Sequence, residues 1–185
     1  MKKRPLQAGF TLIELAIVAV IAAVLLLTMV LVTTSTNDAY NTVREDTDAN
    51  FSLRQALNRI SDDLRQSSTS IISVTSGVDY DSVDLQVPIS QVGTTINWGA
   101  AGTVGWHIRI LVEDGWLIRR VVDAGGIPKR TDEVLARNVD SLFQGQKGFS
   151  VTQTSGLYQV SLRVTADRGE RTWRRTETTA VLTRN

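Results

Sequence analysis

The sequence predicts an α+β chain: one long N-terminal helix, transmembrane in its first half, packed on an antiparallel β-sheet head. Three observations predict it. Leu15 to Val32 is apolar apart from Thr28 and carries no charge, and residues 37–66 contain neither Pro nor Gly. Beyond Ser67-Ser68-Thr69-Ser70 the pattern changes to short β-branched and aromatic runs separated by turn residues.

As a helix, Leu15 to Val32 is about 27 Å long, and counting from Phe10 gives about 35 Å, enough to cross a ~30 Å hydrocarbon core with some tilt. Lys2, Lys3 and Arg4 precede this run, whereas the first basic residue after it is Arg44. That bias holds the leader in the cytoplasm and places the chain beyond Thr33 outside. A removable signal peptide has an apolar region of about 7–15 residues ending in a small-x-small site. Here the run is longer and passes into Val32-Thr33-Thr34-Ser35-Thr36-Asn37. One carboxylate, Glu14, interrupts the apolar stretch near its start. A charge inside hydrocarbon is unfavourable by about 2.5–3.5 kcal/mol on insertion scales, so Glu14 implies a partner.

In the second half of the helix, Leu53, Leu57, Ile60 and Leu64 recur at spacings of four, three and four, which makes one apolar face. Arg59 with Asp62 and Asp63, and Asp62 with Arg65, are spaced for surface pairs worth about 0.2–0.5 kcal/mol each. Glu45, Asp46 and Asp48 form an acidic step where the apolar seam lapses at Asp46 and Asn50; a solvated face is expected there.

In the head, Trp106, Ile108, Ile110 and Val112 alternate with His107 and Arg109, and Asp114-Gly115 turns the chain into a strand from Trp116 to Val122. Asp123 to Lys129, with Gly125-Gly126 and Pro128, reads as a loop. Tyr158, Val160, Leu162 and Val164 alternate with Gln159, Ser161, Arg163 and Thr165. Asp167 to Gly169 then turns the chain into a Thr-rich strand from Arg171 to Leu182.

Composition narrows the function. The portion beyond the span, about 150 residues, suits one domain. All but three of the 20 Lys and Arg and all but one of the 19 Asp and Glu lie there, so it is nearly neutral and is no polybasic nucleic-acid arm. Cys is absent, which removes disulfides and thiolate metal sites. His107, the one histidine, falls with Arg109 on the polar face of its strand, and no second His or Cys completes a metal set. No nucleophile elbow, phosphate loop or dinucleotide fingerprint is present. Asp79, Asp81 and Asp84 lack the Gly and terminal Glu of a calcium loop and read as exposed strand-end charges. Neither an enzyme, a cofactor nor a small-molecule substrate is expected. The candidate for contact with an anionic polymer is Arg171, Trp173 and Arg175 on one strand face; Arg174 points the other way, and Glu170 and Glu177 offset the charge.

A basic leader ending in Gly9, followed by Phe10 and Thr11-Leu12-Ile13-Glu14, resembles the N-terminal segment of type IV pilins and of the pseudopilins of type II secretion. The resemblance covers Arg4 to about Leu27. It implies cleavage between Gly9 and Phe10 by a prepilin peptidase, N-methylation of Phe10, and pairing of Glu14 with the N-terminal amine of a neighbouring subunit. Two alternatives stand beside that pairing: Glu14 bonding its own amine, or snorkelling to the headgroups. The implied organisation is a leader at 1–9, a transmembrane and filament-core helix at 10–33, its amphipathic continuation at 34–69, and a β-rich periplasmic or extracellular head at 70–185.

Later segments bear on subtype. Leu53 to Ser67 ahead of a Ser70-Ile71-Ile72 strand, Gly115 to Arg120, Val134 to Val139 and Leu182 to Asn185 resemble the J-type minor pseudopilin and the W-type minor pilin. Keeping Glu14, in a short chain, departs from the K-type pseudopilin. The partners so implied are K-type and I-type pseudopilins, the major subunit, the peptidase and the bacterial inner membrane. As some minor pilins serve DNA uptake, nucleic acid is the rival partner, with a solvated outer strand the preferred reading of the arginines.

Overall fold

The computed structural model describes residues 11–168 and 171–183. Among them one helix, α1 (Leu12–Gln66), is a single element of 55 residues, and the chain divides into two compact units between Thr47 and Asp48, inside that helix.

In the first unit the helix has no protected stripe. Leu12 to Val32 is exposed on every side. Its threonines are nonetheless bonded within the helix. The Thr28 hydroxyl donates to the Leu25 carbonyl at 2.8 Å, Thr33 to Met29 at 2.7 Å, Thr34 to Val30 at 3.0 Å and Thr36 to Val32 at 2.8 Å. Hydroxyls bonded back to the helix need no solvent, so these threonines are compatible with an apolar medium.

The second unit is built on the other half of α1. Leu53, Ala56, Leu57, Ile60 and Leu64 are all buried, and they form one cluster with the inward residues of the strands. The strands are β1 (Ser73–Ser76), β2 (Asp81–Leu85), β3 (Val87–Val92), β4 (Thr95–Ala100), β5 (Thr103–Val104), β6 (His107–Glu113), β7 (Trp116–Val122), β8 (Glu133–Ala136), β9 (Phe149–Thr154), β10 (Leu157–Arg168) and β11 (Arg171–Leu182). Among the described residues they make not one sheet but three: β1-β2-β6-β7-β8, β11-β10-β9 and β3-β4-β5.

All of the ladders between these strands are antiparallel. The first two sheets fail to merge for a local reason. Tyr80 and Phe149 form one parallel bridge, but the next available donor, Val151 N–H, bonds the Asp81 carboxylate at 2.9 Å instead of a strand carbonyl. A side chain therefore ends the ladder.

Two hairpins match the expected alternation. Glu113 pairs with Trp116 across Asp114 and Gly115, both at positive φ (51° and 75°), which is the two-residue turn that suits strand twist. In β10 and β11, pairing runs from Leu157↔Leu182 to Arg168↔Arg171. The expected turn at Asp167 to Gly169 is thus corrected: Asp167 and Arg168 are strand residues, and the link lies at 169–170, outside the described residues. Ser70-Ile71-Ile72 is likewise a turn and not a strand, closed by Ile71 N–H on the Ser68 carbonyl at 2.9 Å; pairing starts at Ser73.

Three charges expected on the surface are inside. Asp63 does not pair with Arg59; its carboxylate takes two bonds from Arg119 at 2.7 and 3.2 Å, with side-chain exposures of 5% and 14%. Arg59 instead approaches Glu133 at 3.7 Å, and Arg65 meets Asp62 at 3.7 Å as spacing suggests. Asp81 is buried and also meets Lys147 and Ser76. Arg163, although on the polar phase of β10, is only 4% exposed because the loop at 140–147 folds over it. Its guanidinium donates to the Ser141 and Gln146 carbonyls at 2.6 and 2.8 Å and pairs with Asp140 at 2.8 Å. The loop can lie this close because residue 148 is Gly: a Cβ there would run into the Asp140 carbonyl.

Removing one member of a buried pair strands the other, typically at about 3–5 kcal/mol. Asp63→Ala should therefore lower head stability by about 3 kcal/mol, the low end because Glu133 lies 3.4 Å from Arg119 and partly compensates. Chemical denaturation measures this, and a loss below about 0.5 kcal/mol would mean a surface pair.

Candidate assembly site

Helix α1 begins at Leu12, which makes Thr11 its N-cap and Glu14 its third residue. The first turn leaves backbone N–H groups without intrahelical acceptors. Here side chains meet that need reciprocally. The Thr11 Oγ1 accepts the Glu14 N–H at 3.3 Å, and Glu14 Oε2 accepts the Thr11 N–H at 2.9 Å and the Thr11 hydroxyl at 3.0 Å. This is a capping box, and a carboxylate at the N-terminal end of a helix is also favoured by the helix dipole. Sequence reasoning singled out Glu14 and missed Thr11. The signal was present: Thr-x-x-Glu immediately ahead of an apolar run.

The box gives Glu14 a partner in its own chain, which differs from the amine and headgroup alternatives. It engages Oε2; among the described residues no hydrogen bond reaches Oε1. Apart from Thr11, the adjoining described residues are apolar and exposed, Leu12 at 87%, Ile13 at 71% and Leu15 at 66%. Gly9 and Phe10 lie outside the described residues.

The other candidate residues do not converge. Asp79 accepts the Leu142 N–H at 3.3 Å, Asp81 is taken by Lys147 and Val151, and Asp84 pairs with Arg109 at 2.7 Å. His107 is half-buried, opposite Val122. Arg120 lies between Glu113 at 2.8 Å and Asp132 at 2.6 Å, and its hydrogen bonds hold the Asp132 carboxyl below the usual carboxylate range. On β11, Trp173 is half-buried, Arg175 pairs with Glu177 at 3.2 Å, and the Arg171 side chain is not among those described. Arg174, on the opposite face, pairs with Asp140 at 3.0 Å and stacks 4.0 Å over the Phe143 ring. A groove of about 600 Å³ between α1 and β8 is lined by Phe51, Arg54, Arg59, Asp62, Glu133 and Val134.

Among the described residues one helix, α1, is long and apolar enough to cross a membrane, its best window having a mean hydropathy of 3.2 and none of that window buried. Residues 4–30 match the family model described as the prokaryotic N-terminal methylation motif. The motif marks a type IV pilin-like or pseudopilin protein. It implies processing by prepilin peptidase and assembly with other pilin-type subunits, and with the apolar helix it fits anchoring in an inner membrane. No curated protein and no solved structure matches the chain.

Loss of a Thr cap typically costs about 1 kcal/mol, equivalent to about fivefold in an opening equilibrium. In detergent micelles, Thr11→Val should accelerate amide exchange at Glu14 about fivefold while leaving the head amides unchanged. Equal exchange in the two proteins would show that the box does not hold the helix start.

Proposed function

We propose that this chain is a minor pseudopilin: a non-enzymatic structural subunit of a type II secretion pseudopilus, placed in the hetero-oligomeric complex that initiates the tip. The observation that carries the reading is the start of α1, where a capped carboxylate heads a helix exposed and apolar on every side, inside the methylation-motif segment. An all-round apolar helix is stable only in lipid or among like helices.

In this reading the precursor is cut between Gly9 and Phe10, and the new amine at Phe10 is methylated. Thr11 holds Glu14 through Oε2, which leaves the other oxygen for the amine of a neighbouring subunit. Each charge is unfavourable alone in hydrocarbon, and bringing them together fixes the axial register of adjacent helices. The heads, formed outside the membrane, meet K-type and I-type partners; Val134 to Val139, which includes most of β8, belongs to the segments that resemble the J type. The W-type minor pilin shares these features, and the identity of co-purifying subunits separates the two. K-type and I-type pseudopilins support secretion, whereas pilus adhesins or retraction components support a pilus.

Glu14→Ala should leave membrane insertion and removal of the leader intact and reduce incorporation into filaments. A stranded amine at about 3 kcal/mol corresponds to a loss on the order of 100-fold. Quantifying the subunit in sheared filaments against the membrane fraction tests this, and normal incorporation would contradict the pairing.

A further inference from the structure

The outer edge of β11 is unpaired among the described residues. Arg163 N–H bonds the Gly148 carbonyl and Thr165 N–H bonds the Asn138 carbonyl, both away from β11. Odd residues of β10 therefore face that side, and the even residues exchange bonds with the odd residues of β11. Thr172, Arg174, Thr176, Thr178 and Ala180 thus direct their backbone groups outward, and among the described residues none of these groups bonds another element. The edge is 12 residues long, without Pro, Lys or a bulge, and rich in Thr. Such an edge is a template for another strand, and natural sheets usually block it.

We propose that β11 pairs antiparallel with β11 of a second copy of this chain, about a two-fold axis at Thr176. The charges select the occupant and the register. With Thr176 opposite Thr176, each Arg175 faces the other copy's Glu177, and the ladder runs from Arg171 to Val181. Sliding one strand by two residues sets Arg175 against Arg175 in one direction and Glu177 against Glu177 in the other, both unfavourable. Arg175 and Glu177 already share a face, 3.2 Å apart, so pairing completes a square of alternating charge. Successive subunits of a helical filament meet through unlike surfaces, whereas this contact is like to like. It therefore joins the heads of two separate assemblies.

Because the chain has no Cys, introduced thiols report on register without background. Directly opposed residues of this kind have Cα atoms about 5.5 Å apart, within disulfide reach. In full-length protein in detergent micelles, Thr176→Cys should oxidise mainly to a disulfide dimer. Thr172→Cys and Ala180→Cys, which face each other and not themselves, should each stay monomeric and form the heterodimer when mixed. Arg175→Glu in the Thr176→Cys background should cut the dimer yield at least about tenfold, and adding Glu177→Arg should restore it, which separates repulsion from misfolding. The proposal is overturned if Thr176→Cys dimerises no better than Thr172→Cys alone, if cross-links go only to a different protein, or if the charge swap fails to restore the dimer.

Discussion

Burial of one stripe of α1 fixes where the head begins. Leu53, Leu57, Ile60 and Leu64, with Ala56 between them, meet the inward residues of two sheets in a single cluster. Each large side chain so removed from water contributes about 1.5–3 kcal/mol. Toward the N-terminus the same helix has apolar residues on all sides, and among the described residues nothing covers them. One part of the element is thus satisfied by its own protein, while the other requires lipid or neighbouring helices. This division fits anchoring of the first half in an inner membrane and underlies the proposed role as an assembling subunit.

The capping box refines the role proposed for Glu14. In a monomer the carboxylate already accepts two bonds from Thr11, so it enters the hydrocarbon oriented and partly satisfied. Neutral donors do not cancel its charge. A cationic amine arriving from another subunit would complete the set without dismantling the box, because Oε2 alone is engaged. In the proposed assembly, local helix chemistry and subunit register rest on the same side chain.

Much of this architecture was legible in the sequence. The apolar run, the stripe at Leu53 to Leu64, and the hairpins across Asp114-Gly115 and at the C-terminus are readable from spacing alone. What spacing could not show were interactions set by distant segments. Asp63 looks like a surface member of an i, i+4 pair until Arg119, from β7, arrives over it. Arg163 sits on the polar phase of its strand and is buried only because the loop at 140–147 folds back. The separation of the first two sheets depends on Asp81 substituting for a backbone acceptor, and β3-β4-β5 has too little apolar alternation to be read as a separate sheet. At the candidate site, Glu14 stood out as a charge in an apolar run. Thr11 was legible too, through the Thr-x-x-Glu spacing ahead of that run, but what its hydroxyl and N–H bond is shown only by the structure.

The claim that Glu14 awaits a freed terminus is tested most directly by the intact mass of the wild-type chain recovered from membranes. The expected species is a polypeptide that begins at Phe10 and carries one added methyl group. A chain that still begins at Met1 in cells containing an active prepilin peptidase would contradict the claim, since no amine would then exist at Phe10 for the carboxylate to meet.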